Sequence, residues 1–524
     1  MQESPDLTSF MLVNCGAVVD VASFLQLEEN QTAFVVDYHR PVHQRNIHNA
    51  KNVVVFADTQ EVPDPRPERF EELGPTRQRQ PREDEDEERN SGGDEGGARK
   101  RPRHEDEEKE RGGLVHVEAE DERHQEDTLS VFAEELASGS FYGSSGAMLM
   151  YELAAQEAAE TPHVLWLAIL GLTEHYLQHR CTAKQYVKQL ETLRQAAATS
   201  NDKSLRFEQY EYHFVLYRHW SLYESMLHSP AVACRLAIWS ESGRRRLDQL
   251  FAKMGFALQQ CKQNFSVMSS SIKERLPDAL ETYAADFGLI DVTFPSFVKV
   301  LDNKLQMSAA DCVHVVSALL EAGVGRPDAA SGGAAAALQQ QQQSPGAAAE
   351  ETVRNFWHAY DVLGARVNWD LVTQGLGVAV RLQQAVVREG VDMLLKKIIV
   401  RYGPFRYAVL HDSANLNVFA HPLVLTRLAL FLLESLKRPG KPSKPLVVCA
   451  LNRARGTYLI LGVTAAAPST RAKRNDFGVS FLQAAKITSA TICFHSFDSS
   501  VIEVLDRDLT RFIELLHSGL LDEN

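Results

Sequence analysis

The chain has 524 residues, 44% of them hydrophobic, and a formal net charge of −14. That length suits two or three domains with a sizeable core. No run approaches the ~18 apolar residues of a membrane span, so no membrane partner is expected. The amino terminus, MQESPDLTSF, lacks the basic-then-apolar layout of a secretory signal. Seven cysteines are scattered without a CxxC pair. This argues against a zinc knuckle or a disulfide framework and favours a reducing intracellular compartment.

In chain order, the first elements are three short apolar runs with polar ends: Phe10–Val13, Ala33–Val36 and Val53–Ala57. Their spacing of ~20 residues fits a βαβ pattern. The middle run reads as a strand buried on both faces. Pro41 cannot continue the sheet. Asp37 and His39 should therefore emerge at the carboxyl end of a strand, the rim where open α/β sheets hold ligands and metals. The alternative is a structural pair, hydrogen-bonded to each other at the strand end.

Val62–Pro81 is rich in proline and charge, and residues 83–127 carry 19 Asp/Glu against 8 Lys/Arg. The acidity of the whole chain thus belongs largely to this stretch, and residues 73–127 are expected to stay disordered for want of apolar area. Within it, RKRPR (Arg99, Lys100, Arg101, Arg103) reads either as a nuclear-import signal or as basic punctuation in a solvated linker. Order is expected to resume near Leu129. Gly143–Gly146 should open a helix after a tight turn. Its free N–H groups would suit an anion, although a plain helix start is the simpler reading. Val164–Leu172 suits a buried helix running into Thr173 and Glu174.

Residues 205–324 read as a mostly helical insertion. Phe207, Tyr210, Phe214, Tyr217 and Trp220 recur at helical spacing. Interleaved Arg206, Arg218 and His219 would suit base stacking, but burial is the commoner use of such aromatics. Arg244–Arg246 should lie on a solvated face. Residues 325–350 are low-complexity linker, and helices are expected at 351–364 and 369–398. Residues 399–524 form a basic α/β domain, with strands at Arg406–Leu410, Asn417–Ala420, Leu446–Ala450 and Tyr458–Val463. Helices are expected there at Val424–Leu436 and Phe512–Leu516, with Asp476-Phe477-Gly478 opening another. Residues 401–475 hold 12 Lys/Arg and 2 Asp/Glu. Arg453 and Arg455 in one turn, with Arg471, Lys473 and Arg474 in a second loop, are the candidate nucleic-acid contacts. A rim that meets an acidic protein surface is the other reading.

NCG followed by VVD at 14–20, and then DYHRP at 37–41, resemble the second and third motifs of the DHH phosphoesterase superfamily. FYGSSGAMLMYELA, AILGLTEHYL and VLYRHWSLYESML resemble an inactive branch of it more closely. That branch is the eukaryotic cell division cycle forty-five family of replication factors. The resemblance implies a DHH-like α/β domain (1–72 and 128–204), a helical insertion that docks on the helicase ring, connecting helices (351–398) and a smaller, diverged substrate-binding-like domain (399–524).

Active superfamily members use a manganese pair held about 4 Å apart. Against that pattern, Asp37 and His39 match, Tyr38 replaces a histidine, Asn14 replaces an aspartate, and Glu174 replaces an aspartate. No GGH substrate motif is found. The first, aspartate-bearing motif has no counterpart, which is expected to reflect an incomplete gene product rather than a sheet that has lost an edge. The resemblance therefore implies no catalytic residues, no cofactor and no metal pair, with Asn14, Asp37, His39 and Glu174 as vestigial positions; one residual cation is left open. It implies a nuclear, non-enzymatic subunit of the replicative helicase. Its partners would be the minichromosome-maintenance ring, the GINS complex, DNA polymerase, origin-loading factors and single-stranded DNA. The rival reading is a manganese-dependent single-strand exonuclease or phosphoester hydrolase.

Overall fold

The computed structural model describes residues 7–49, 51–56, 139–200, 202–300, 306–322, 345–438, 443–464, 474–495 and 498–519. The acidic stretch, the RKRPR cluster, Leu129, Arg471 and Lys473 lie outside them, as does the low-complexity segment up to residue 344.

Three parallel strands open the fold: β1 (Ser9–Val13), β2 (Thr32–Val36) and β4 (Val53–Phe56), in spatial order β1-β2-β4. The middle position of β2 explains its unbroken apolar run, because both neighbours and both faces exclude water. Helix α1 (Val21–Leu25), capped by Asp20 accepting the Ser23 N–H, covers one face. Ala17, Val21, Ala33, Val35 and Val53 form the small core there. β1 is an outer strand, and its Met11 and Val13 are half exposed.

A two-residue strand β3 (His39–Arg40) pairs antiparallel with β5 (Phe141–Tyr142). Helix α2 (Gln44–His48) lies between β3 and β4. Helix α3 (Gly146–Gln156) starts at Ser145, whose hydroxyl accepts the Met148 N–H. Helix α4 (Pro162–Leu177) starts at Thr161 with proline in its first turn, the position where a missing N–H costs nothing. Helix α5 (Ala183–Thr199) begins with a reciprocal Thr182–Gln185 capping box. The helices expected after the Gly-Ser turn and across Val164–Leu172 are thus both present.

The insertion departs from expectation. Leu205–Tyr212 is a strand, β6, which pairs antiparallel with β7 (Thr293–Val300), and β7 pairs with β8 (Gln306–Ser308). A register shift between Glu208 and Glu211 breaks the alternation of period two. Phe207 and Tyr210 lie three apart within this bulged strand, while Phe214, Tyr217 and Trp220 fall in the loop and helical turn beyond it, so the helical spacing runs across two different local structures. Tyr210 is exposed, whereas Phe214 and Tyr217 are buried core. Helices do fill the interior of the insertion. They include α6 (Leu222–His228), α7 (Pro230–Leu236), α8 (Glu241–Lys253) and α9 (Ser270–Tyr283). Arg244 and Arg245 sit on the exposed side of α8 as expected.

Helices α10 (Ala309–Ala322), α11 (Pro345–Leu363) and α12 (Trp369–Leu395) lead to the last sheet. That sheet contains β9 (Val400–Tyr402), β10 (Phe405–Leu410), β11 (Leu446–Asn452), β12 (Thr457–Val463), β13 (Ile492–His495) and β14 (Asp498–Leu505), in the order β13-β14-β12-β11-β10-β9. Asn417–Ala420, expected as a strand, instead lies largely in a helical turn, Leu416–Phe419. Its apolar residues face the core from a turn too short to reveal a period.

Helix α13 (Pro422–Ser435) covers one side of this sheet, packing Leu428, Phe431 and Leu432 with Ala408, Val448 and Leu461. Helices α14 (Phe477–Thr488) and α15 (Leu509–Gly519) cover the other, where Phe477, Phe481 and Phe512 meet Phe405, Val447 and Ile460. Burying each such side chain contributes about 1.5–3 kcal/mol. The architecture is α/β: a parallel-sheet unit, a largely helical insertion and a smaller carboxyl-terminal α/β unit.

Candidate functional site

β2 ends at Val36 and delivers Asp37, Tyr38 and His39 in succession. Asp37 is wholly buried. Its Oδ1 accepts the His39 N–H (3.1 Å) and lies 2.7 Å from His39 Nδ1, while its Oδ2 accepts the Ala17 N–H (3.0 Å). Burial works against the Asp37 charge. The His39 ring and the amide donors outweigh it and hold the carboxyl below its usual value. Arg40 folds back to donate to the carbonyls of Asp37 (2.8 Å) and His39 (3.0 Å). The strand end is therefore tied to itself.

Glu174, near the carboxyl end of α4, faces Arg180. The arginine Nη1 donates to both carboxylate oxygens, at 2.8 and 3.0 Å. The same guanidinium lies over the Tyr38 ring at 5.1 Å and the Tyr142 ring at 5.5 Å. Burial disfavours its charge, but the Glu174 carboxylate, the two phenols and Asp498 more than offset this and raise its pKa. His175 meets Tyr38 edge-on at 4.9 Å. Burial first, then the charges of Arg180 and His39, push its pKa well below the ordinary imidazole value. Burial pushes Tyr38 up to about 12, so it stays a neutral phenol.

The carboxyl-terminal unit closes over this rim. The Tyr142 hydroxyl donates to Asp498 Oδ2 at 2.6 Å, and the Ser500 N–H and hydroxyl hold Oδ1. Ser140 and Asn475 exchange two backbone hydrogen bonds, of 2.9 and 2.7 Å. Gly139 sits at φ +76°, and a Cβ there would also lie 2.3 Å from Asp476 Oδ1 and 3.1 Å from Arg474 Cβ, so this crossing favours glycine.

These donors do not fit a manganese pair. Such a pair needs carboxylate and imidazole lone pairs free to converge on two cations. Here both Asp37 oxygens accept hydrogen bonds, and both Glu174 oxygens serve a cation supplied by the chain itself. A protonated phenol stands at Tyr38. Asn14, with its backbone N–H bonded to Val36 O, is a neutral amide; a Cβ on Gly146 would lie 2.8 Å from its Oδ1. Asp37 and His39 are brought together, but Glu174 is drawn into a separate pair. Arg180, Tyr142 and Asp498 carry no sequence signal of this role. Arg180 lies beyond the end of α4, and Asp498 arrives from the far end of the chain.

The basic candidates do not form one patch. Arg453 and Arg455 are exposed in the turn between β11 and β12. Arg453 Nη2 donates to His411 O (3.3 Å), and Arg455 Nη1 to Glu503 (3.2 Å). Arg474 sits beyond the other end of β12, with its guanidinium over the Phe141 ring at 5.7 Å and its carbonyl accepting the Thr464 hydroxyl. Seven strand residues separate the two places, ~24 Å at 3.4 Å each.

A family model described as CDC45 matches residues 1–519. The chain belongs to the CDC45 family. It is 31% identical to the cell division control protein 45 homolog of Schizosaccharomyces pombe, over 98% of this chain and 88% of that protein. It is 30% identical to the Homo sapiens homolog, over 98% and 87%. The crystal structure of CDC45 from Entamoeba histolytica superposes with a TM-score of 0.63 at 20% identity, covering 98% of this chain and 84% of that one; this likeness speaks for the fold. The family resemblance read from DYHRP and the helical motifs is therefore correct, and the closed rim described above is a feature of a CDC45 chain.

Proposed function

We propose that the chain is a non-enzymatic subunit of the eukaryotic replicative helicase, acting in the nucleus in replication initiation and fork progression. It bridges the minichromosome-maintenance ring and the GINS complex, meets DNA polymerase and origin-loading factors there, and touches single-stranded DNA. ATP hydrolysis belongs to the ring. Family membership supports the replication role. The observation that carries the non-enzymatic part is the Arg180 guanidinium between Tyr38, Tyr142 and Glu174, because it takes up both oxygens of a carboxylate that phosphoester cleavage would need as a metal ligand.

The test is single-strand cleavage in manganese by wild type and Asp37→Ala, beside co-elution with the ring and GINS. The expected result is no turnover in either protein and stable co-elution of both. Turnover that disappears in Asp37→Ala would overturn the reading in favour of an exonuclease.

A further inference from the structure

Four cations crowd one corner of the carboxyl-terminal sheet, far along the strand order from the rim of Asp37. Arg401 on β9 and Arg406 on β10 stand directly opposite each other. The Arg406 N–H bonds to Pro445 O (2.9 Å), so its main-chain groups point toward β11. Arg401 and Arg406 are therefore a non-hydrogen-bonded pair, the closer of the two antiparallel kinds. Like charges in such a pair repel. Their side chains share the sheet face of Ala408 and Leu410, the face covered by α13. Arg438 follows the end of that helix. Lys444 Nζ reaches Gly403 O at 2.5 Å, across the β9–β10 turn.

Among the described residues, no ion pair joins any of these four cations to a carboxylate. Burial, then the charges of Arg438 and Arg401, lower the Arg406 pKa. Burial, then Arg401 and Arg406, lower that of Lys444. Arg406 Nη1 and Ser443 Oγ are both buried without a hydrogen-bond partner. A buried donor left unmatched is costly, and repulsion among the cations adds to that cost. An anion would relieve both.

The backbone beside this corner is also open. β9 is the outermost strand, and Val400 is 44% exposed. Because Arg401 forms a non-hydrogen-bonded pair with Arg406, its own N–H and C=O point outward from the sheet. Such an edge accepts an added strand.

We propose that this edge binds an extended segment of a partner protein carrying a phosphorylated serine or threonine. The segment pairs with β9 and seats its phosphate among Arg401, Arg406, Arg438 and Lys444. A phosphomonoester concentrates nearly two charges and three acceptor oxygens on one atom, which suits cations gathered at one corner. A polynucleotide spreads single charges along its length and calls for a track of cations instead.

The test uses the full chain and fluorescence polarisation with a labelled peptide pool bearing a fixed central phosphoserine. The same pool with serine, and 5′-phosphorylated and 5′-hydroxyl oligothymidylates, are the comparison arms. The phosphoserine pool is expected to bind at least about tenfold more tightly than the serine pool, as expected of charge-assisted contacts. Arg406→Gln and, at the more exposed margin, Lys444→Gln should each remove most of that difference, with thermal unfolding confirming that they fold. Arg401→Pro, which deletes the outward N–H as well as the cation, should weaken binding beyond Arg401→Ala. Equal affinity for the two peptide pools, tighter binding of the 5′-phosphorylated oligonucleotide, or identical affinities for Arg401→Pro and Arg401→Ala would each overturn the proposal.

Discussion

Tyr142 donates its phenolic hydrogen to Asp498 across 2.6 Å, joining residues 356 positions apart. The acceptor is half-buried and its carboxyl is held below its usual value, so the bond is of the stronger, charge-assisted kind. Tyr142→Phe keeps the ring under Arg180 and removes only this bond. It should cost about 1.5 kcal/mol, since hydrogen bonds to charged groups contribute about 1.5–3 and Ser500 still serves the carboxylate. Urea midpoints for Tyr142→Phe, Asp498→Asn and the double variant should show coupling of that size.

Arg180→Met removes the partner of Glu174 and the cation over two rings. Breaking a fully buried pair costs about 3–5 kcal/mol. Glu174 is 26% exposed, so the expected loss is about 2 kcal/mol after allowing for solvent screening. Arg180→Lys should recover less than half of it, because an ammonium cannot lie flat between two rings. Thermal unfolding of the three proteins checks the order.

Buried histidines should make the protein lose stability in mild acid, with Glu321, whose carboxyl burial pushes up to about 7, working in the opposite direction. Burial holds His175 well below 6.5, His213 near about 4 and His314 near about 3. Each folded-state value lies below the unfolded one, so the unfolded chain binds more protons over that interval. The stability these rings contribute is complete above pH 6.5 and drains away as pH falls toward those values. His213→Phe, which preserves the stack on Phe294 at 4.4 Å, should flatten the fall in denaturant midpoint between pH 6.5 and 4.5.

Gly390→Ala should destabilise despite the better helix propensity of alanine. An added Cβ in α12 would stand 2.4 and 2.5 Å from ring atoms of Phe431 on α13. Phe431 is fully buried and has no room to retreat. Overpacking of this kind costs about 1–3 kcal/mol, against about 1 kcal/mol gained in propensity. A lower unfolding temperature is expected.

Glu503 spends part of the charge of Arg455. Glu503→Gln should therefore tighten single-strand DNA binding, whereas Arg453→Ala with Arg455→Ala should loosen it. The double variant should also reduce the slope of log affinity against log salt by roughly 0.7 for each lost phosphate contact. Titrations at several salt concentrations separate the two effects.

β2 was readable because an apolar run between two parallel neighbours admits few other placements. α4 was readable from its unbroken apolar stretch, Val164–Leu172. The Asp37–His39 pair followed from a strand stopped by Pro41. β6 was hidden because its aromatics and those of the loop and helical turn after it make one series at helical spacing, and a local pattern cannot reveal a strand whose pairing and register shift are set by β7. The rim itself was half visible. Asp37 and Glu174 stood out through the resemblance, but Arg180 as the partner of Glu174, the Tyr142 ring beside it and the seam to Asp498 follow from tertiary packing that no local spacing encodes.

The Ser140–Asn475 crossing also bears on how the protein is made. Domains commonly settle in order as they leave the ribosome. Here the amino-terminal strands emerge early, yet the segment around Asn475 that crosses Ser140 is among the last synthesised. A nascent chain halted before Asn475 would hold Tyr38 and Tyr142 against nothing from the final sheet, leaving a ring-lined flank for chaperones to shelter until translation ends.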